Sequence, residues 1–176
     1  MSKNVRVQRE RKLEAARGYL LLDMPQHALR ELNGIDEPEK AALAINQLRG
    51  EALRVQGDFH EALLAYNRAL AEDPNDLTVL LGMAWCYKRT NQLSRAIAAM
   101  EQAYRAKPDE PIVLYNLSCY FALDRNKTQA LSWLGRALRM ESSLRKLIPD
   151  EHDFDPLRDD PDFQFVAGLR NLSDAT

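Results

Sequence analysis

A spacing of 34 residues runs through the sequence and constrains the fold more than any other feature. One set of alanines keeps this spacing: Ala28, Ala62, Ala96 and Ala130. A large apolar residue follows each of them by four positions: Leu32, Tyr66, Met100 and Leu134. A second set of small residues recurs upstream: Ala16, Gly50, Ala84 and Ser118. Because several positions recur in phase, each unit is predicted to be one supersecondary element that buries the same face against its neighbours.

This period and these residue types resemble the tetratricopeptide repeat family. The best matching unit reads Leu80-x-x-Met83-Ala84-x-x-Tyr87, followed by Ala96, Met100 and Pro108. The segment that begins with Gly57 and Asp58 and ends at Pro74 is nearly as close, and the resemblance covers about residues 9–144. It implies an all-α fold, a right-handed superhelical solenoid of antiparallel helical hairpins.

The repeat boundaries predict a single domain over residues 1–176. A degenerate N-terminal repeat occupies residues 9–42, three clear repeats occupy 43–76, 77–110 and 111–144, and a C-terminal cap and tail occupies 145–176. The first unit is degenerate because it lacks the terminal proline and has Ile35 where the second alanine is expected. Terminal repeats of solenoids are often atypical, since they face solvent or a cap.

The acidic tail predicts a cap on the last hairpin. Asp155-Pro156 and Asp160-Pro161 each read as a helix N-cap followed by proline at the first helical position, so we expect a short turn and then a final helix at about 161–170. Apolar side chains of this tail are expected to cover the last hairpin: Phe154, Leu157, Phe163 and Val166. The phrase also resembles the tail of many bacterial tetratricopeptide proteins.

Sequence motifs for catalysis are absent, so we expect no enzyme and no cofactor. There is no P-loop, dinucleotide fingerprint or nucleophile elbow, and the histidines His27, His60 and His152 lack metal-ligand spacing. The acids near the C-terminus lack the glycine of a calcium loop, so no metal site is expected. Cys86 and Cys119 are too few and too far apart for a disulfide framework. With no secretory signal and no apolar run of about 20 residues, a cytoplasmic protein without a membrane span is predicted.

The first helix of each repeat is expected to line a concave groove that binds a partner protein. The predicted groove residues are Leu48, Glu51, Arg54, Leu81, Trp85, Lys88, Arg89, Tyr115, Asn116 and Cys119. Trp85, Leu81 and Tyr115 would form an apolar floor with Arg54, Lys88 and Arg89 at its edge. Aromatic and arginine side chains are frequent interface anchors, so a peptide or amphipathic helix with apolar and acidic residues is the expected partner. The alternative is that Trp85 and Tyr115 pack between hairpins or against the tail.

These features favour a protein-binding adaptor or scaffold as the function, and two alternatives stay open. The sequence does not determine the oligomeric state. The first alternative is a small cytoplasmic chaperone for secreted or translocator proteins. The second is a regulator that binds nucleic acid or anionic membrane through the basic N-terminal helix. The net charge of −2 and the pI of about 6.0 argue against a nucleic-acid partner. The positions that hold a heat-shock protein carboxylate in chaperone cofactors of this family do not carry the required Lys and Asn set here.

Overall fold

The computed structural model describes residues 3–169, and these form helices joined by short links, without strands. The α-helices are α1 (Lys3–Leu21), α2 (Pro25–Asn33), α3 (Ala42–Gln56), α4 (Phe59–Glu72), α5 (Leu77–Arg89), α6 (Leu93–Ala106), α7 (Pro111–Leu123), α8 (Lys127–Met140) and α9 (Pro161–Ala167). Short 3₁₀ segments cover Pro38–Ala41, Ser142–Asp150 and His152–Leu157. The all-α prediction is confirmed for the described chain.

Two compact units divide the chain after Asn91. In the first unit, α1 packs on α2 and α3 packs on α4, each pair being joined by a tight turn, and α5 packs on both α3 and α4. In the second unit, α6 contacts α7, α7 pairs with α8, and the C-terminal segments pack on α7 and α8. Consecutive helices that contact one another across such short links are antiparallel hairpins, as the resemblance implies.

The recurrent small residues lie where helices approach most closely. Ala16, Ala28, Ala62, Ala84 and Ala96 are fully buried. Tyr66 shows why small residues are needed at such contacts, because its ring lies between two glycines of neighbouring helices. A Cβ at Gly50 would lie 2.5 Å from ring carbons of Tyr66, and one at Gly82 would lie 2.5 Å from its hydroxyl oxygen. The repeated small positions therefore set the distance between helices, as the sequence predicts.

A backbone feature repeats with the same period as the sequence. The turns that follow α1, α3, α5 and α7 each contain a residue in the left-handed conformation: Asp23 (φ 55°), Gly57 (φ 86°), Asn91 (φ 58°) and Arg125 (φ 57°). These residues are 34 positions apart, and only one is glycine, the residue that adopts this conformation without steric cost. The segment predicted as a degenerate repeat, residues 9–42, therefore has the same turn geometry as the segments that follow it.

The tail begins with 3₁₀ segments and ends in α9. Asp160 caps α9 as predicted, since its carboxylate accepts hydrogen bonds from the backbone N–H of Asp162 (2.9 Å) and Phe163 (3.3 Å). Asp155-Pro156 does not start a helix, contrary to our expectation, because Pro156 lies inside a 3₁₀ segment. The Asp155 carboxylate accepts hydrogen bonds from Arg158 at 3.2 and 3.0 Å, and the segment is capped instead by Glu151, which accepts a hydrogen bond from the backbone N–H of Asp153 at 3.1 Å.

Candidate functional site

Four side chains of the first unit form an aromatic and cationic surface, called here the Arg–Trp cluster: Arg54, Phe59, Trp85 and Arg89. The guanidinium carbons of Arg54 and Arg89 lie 5.0 and 5.6 Å from the Trp85 ring centroid. Phe59 meets Trp85 edge-on, with centroids 5.3 Å apart, and Arg89 also lies 5.9 Å from the Phe59 ring. The cluster joins the end of α3, the start of α4 and the end of α5.

The framework of this cluster is held by a buried polar contact. Glu51 forms an ion pair with Arg54, and the hydroxyl of Tyr66 donates a hydrogen bond to the Glu51 carboxylate at 3.2 Å. Burial and the nearby charge of Glu51 raise the pKa of Tyr66, so its hydroxyl stays protonated and remains a donor. Since Tyr66 fits between Gly50 and Gly82, the glycine contacts fix the helices that carry Arg54 and Trp85.

Several predicted groove residues of the first unit are accessible at its surface. Trp85, Arg54, Leu48, Leu81 and Lys88 are half-buried, as is Glu51, and Arg89 is exposed. Leu48 packs against the core between α1, α2 and α3, whereas Trp85 packs against the core that includes Tyr66 and Met83. Phe59 is absent from the prediction. Its partner Trp85 lies 26 residues further along the chain, and no local sequence pattern links the two.

The predicted groove residues on α7 are covered rather than open, which corrects part of the prediction. Tyr115 is 2% exposed and Cys119 is 1% exposed, while Asn116 is half-buried. The cause is the tail: the fully buried ring of Phe154 meets the ring of Tyr115 edge-on, with centroids 5.7 Å apart. The alternative that Tyr115 packs against the tail is therefore the one that the structure shows, and Tyr115 and Cys119 offer no accessible surface to a partner.

A second aromatic and cationic group lies in the second unit. The Arg136 guanidinium carbon is 4.3 Å from the Trp133 ring centroid, and its Nη2 donates a hydrogen bond to the hydroxyl of Tyr104 at 2.5 Å. Tyr104 and Trp133 are also in edge contact, at 4.9 Å. These residues lie on α6 and α8, the second helices of their hairpins, outside the predicted stripe. The group provides a matched comparison for the Arg–Trp cluster.

The basic N-terminal helix has fewer free cations than its sequence suggests. Arg9 is 7% exposed, Lys12 donates a hydrogen bond to the carbonyl oxygen of Gly34, and Arg17 forms an ion pair with Glu14. These three side chains therefore interact within the protein, although Arg17 is exposed, and Arg6 and Arg11 are the exposed arginines described on this helix without an ion pair. Among residues 3–169, no helix has the length and apolar character needed to span a membrane.

Comparison with known proteins identifies the repeats. The family model described as "Tetratricopeptide repeat" matches residues 53–118. A curated relative, the cellulose synthase operon protein C of Pseudomonas fluorescens (strain SBW25), is 29% identical over 120 residues. Those residues are 64% of this chain and 9% of the relative. The chain thus spans a small fraction of the length of the curated protein it matches.

Solved structures of similar fold have low sequence identity. MamA from Desulfovibrio magneticus RS-1, residues 41 to the end, has a TM-score of 0.70 and 19% identity, covering 96% of both chains. A thermophilic tetratricopeptide repeat protein from Thermus thermophilus has a TM-score of 0.66 and 19% identity, covering 80% of this chain and 77% of its own. Residues 53–118 therefore match the tetratricopeptide repeat family model, and the described chain is all-helical and similar in fold to these solved structures.

Proposed function

We propose that this chain is an adaptor that binds a peptide or amphipathic helix of a partner protein on the Arg–Trp cluster and the adjoining Leu81 and Lys88. The observation that carries the proposal is the surroundings of Trp85, which is half-buried and in contact with two guanidinium groups and an edge-on phenyl ring. Partly exposed tryptophan and arginine side chains are the residue types that contribute most to protein interfaces. They also lie on the first helices of the repeats, where the family places its binding surface.

The charges of the cluster favour a partner that combines apolar and acidic side chains. Arg54 is already paired with Glu51, whereas Arg89 is exposed and has no ion-pair partner among the described residues. An apolar side chain of the partner would contact the rings of Trp85 and Phe59, and a carboxylate would pair with Arg89. Such an ion pair would contribute about 0–1 kcal/mol where it stays exposed to solvent.

The two alternative functions make different use of the surface. A chaperone for secreted or translocator proteins would use the same cluster and would differ only in the identity of its partner. A regulator acting through the N-terminal helix would depend on its exposed arginines, Arg6 and Arg11. Because Arg9, Lys12 and Arg17 are engaged within the protein, the structure lends this alternative less support than the sequence does.

The test is a selection of peptides from a displayed random library on the full-length chain, followed by affinity measurements on variants. Trp85→Ala and Arg89→Glu should each weaken binding of the selected peptides by at least about tenfold, as expected for hot-spot residues. Trp133→Phe is the matched control and should leave the affinity unchanged. The proposal is wrong if peptides bind Trp85→Ala and Arg89→Glu as tightly as the unmodified protein. Binding of duplex DNA that weakens steeply with salt would instead favour the N-terminal helix.

A further inference from the structure

A thiol and two carboxylates come together where the tail crosses α7. The Sγ atom of Cys119 and one carboxylate oxygen each from Glu151 and Asp153 all lie within 4.8 Å of one another. Cys119 is buried on α7, and the two acids are half-buried: Glu151 is the N-cap of the second 3₁₀ segment of the tail, and Asp153 lies within its first turn. The Arg–Trp cluster does not include these side chains, so the proposed partner surface does not account for them.

A buried hydroxyl beside this group has no hydrogen-bond partner. Tyr115 lies one helical turn before Cys119 on α7, is 98% buried, and its Oη makes no hydrogen bond within the described part of the chain. The Tyr115 ring also contacts the ring of Phe154, the residue that follows Asp153, with centroids 5.7 Å apart, so Tyr115 adjoins both segments that supply the thiol and the carboxylates. Leaving a buried polar group without a partner is costly, which indicates that a polar ligand is missing on this side of α7.

We propose that Cys119, Glu151 and Asp153 bind a divalent metal ion of the zinc type, with a water molecule that accepts a hydrogen bond from Tyr115 as the fourth ligand. Zinc accepts mixed sulfur and oxygen ligands in tetrahedral sites, whereas calcium and magnesium prefer oxygen ligands alone. The thiol of Cys119 loses its proton to solvent when the metal binds.

The geometry of the group is compatible with this ion after a small adjustment. Zinc–sulfur bonds of about 2.3 Å and zinc–oxygen bonds of about 2.1 Å place tetrahedral ligands about 3.6 Å apart. The separation of up to 4.8 Å in the metal-free chain therefore has to close by about 1 Å, which side-chain rotation in the tail can supply. One oxygen of Glu151 accepts a hydrogen bond from the backbone N–H of Asp153 at 3.1 Å, so its other oxygen is the one assigned to the metal.

The ligands come from two segments that are far apart in the chain, so a bound metal ion would link these segments. Cys119 belongs to α7, and Glu151 and Asp153 belong to the tail that buries Tyr115. A metal ion bound to both segments would hold the tail on α7, because ligands that bind only the folded state stabilise it. Metal binding should therefore raise the melting temperature and slow hydrogen exchange in the tail.

The experiment uses the metal-free full chain and cobalt(II) as a spectroscopic probe. A thiolate–cobalt charge-transfer band should appear with one equivalent of cobalt, and zinc should displace it. The band should be lost in Cys119→Ser and kept in Cys86→Ser, the matched control at the other buried cysteine. Asp153→Asn should weaken zinc binding by at least about tenfold. Because Asp153 is half-buried, this variant provides the test if Cys119→Ser fails to fold. No band in the unmodified chain, a band that survives Cys119→Ser, or zinc affinity unchanged in Asp153→Asn would each overturn the proposal.

Discussion

Gly82→Ala should destabilise the first unit, although alanine favours helices more than glycine does. The added Cβ would lie 2.5 Å from the hydroxyl oxygen of Tyr66 and 2.6 Å from its Cζ. The ring has little room to move away, because it already fills the space that a Cβ at Gly50 would occupy. Tyr66 is 1% exposed, so moving it also disturbs the packed core around it.

The expected size follows from three contributions. Overpacking in a core costs about 1–3 kcal/mol, and weakening the hydrogen bond from Tyr66 to Glu51 costs about 1 kcal/mol. The better helix propensity of alanine offsets about 1 kcal/mol. The free energy of unfolding should therefore fall by about 2 kcal/mol in Gly82→Ala.

Urea denaturation followed by circular dichroism measures this change, with unchanged slopes confirming a comparable transition. Gly18→Ala is the matched control, since no atom lies within 4 Å of its added Cβ, and it should stabilise the protein by about 0.5–1 kcal/mol. Tyr66→Phe combined with Gly82→Ala should recover part of the loss, because the hydroxyl contact is removed. A Gly82→Ala protein as stable as the unmodified chain would refute the argument that Tyr66 fills the space between the two glycines.

Three further predictions follow from other parts of the structure. Arg125→Gly should raise the free energy of unfolding by about 1 kcal/mol in urea denaturation, because Arg125 is held in the left-handed conformation; no gain would show that the turn is unstrained. Burial raises the pKa of Cys86 to about 11, so the stability of the folded chain should fall as the pH rises from about 9 to about 11. Melting experiments across that pH range should show a smaller decrease for Cys86→Ala. Phe154→Ala should speed the reaction of Cys119 with a thiol reagent and leave Cys86 unreactive, as measured by mass spectrometry of the labelled protein. Equal protection of both thiols in this variant would mean that the tail does not shield Cys119.

The sign of the pH dependence follows from proton uptake. An unfolded chain releases the Cys86 proton near pH 9, whereas the folded chain keeps it until about pH 11. Between these values the folded state binds more protons, so its stability decreases as the pH increases. Tyr66, whose pKa is also raised by burial, adds to the same trend at higher pH.

The helical array could be predicted from sequence because the contacts between neighbouring helices repeat. Ala28, Ala62, Ala96 and Ala130 recur since each occupies the same close contact in its own hairpin, and all are at most 1% exposed. The turn geometry at Arg125 was not predictable, because arginine is not among the residue types that favour a positive φ. The repeat contacts impose this geometry there against local preference.

The candidate site was predictable only in part, because the tail that covers part of the predicted groove does not follow the repeat. Three residues of the predicted stripe are in contact in the structure, since Arg54 and Arg89 both contact the Trp85 ring. The stripe did not indicate that the tail returns across α7, since the path of a nonrepetitive segment depends on tertiary packing by Phe154. Asp155-Pro156 and Asp160-Pro161 also illustrate this: Asp160 caps the helix that follows it, whereas the segment that contains Pro156 begins earlier and is capped by Glu151.

The central claim is that a partner peptide binds on the Arg–Trp cluster, and the two tryptophan indole N–H signals test it directly. A peptide selected on the full-length chain would be titrated into isotope-labelled protein and followed by two-dimensional NMR, with Trp85→Phe and Trp133→Phe assigning the signals. The account predicts that the Trp85 signal shifts saturably while the Trp133 signal stays in place. A saturable shift of Trp133 alone, or binding without any shift of Trp85, would contradict it.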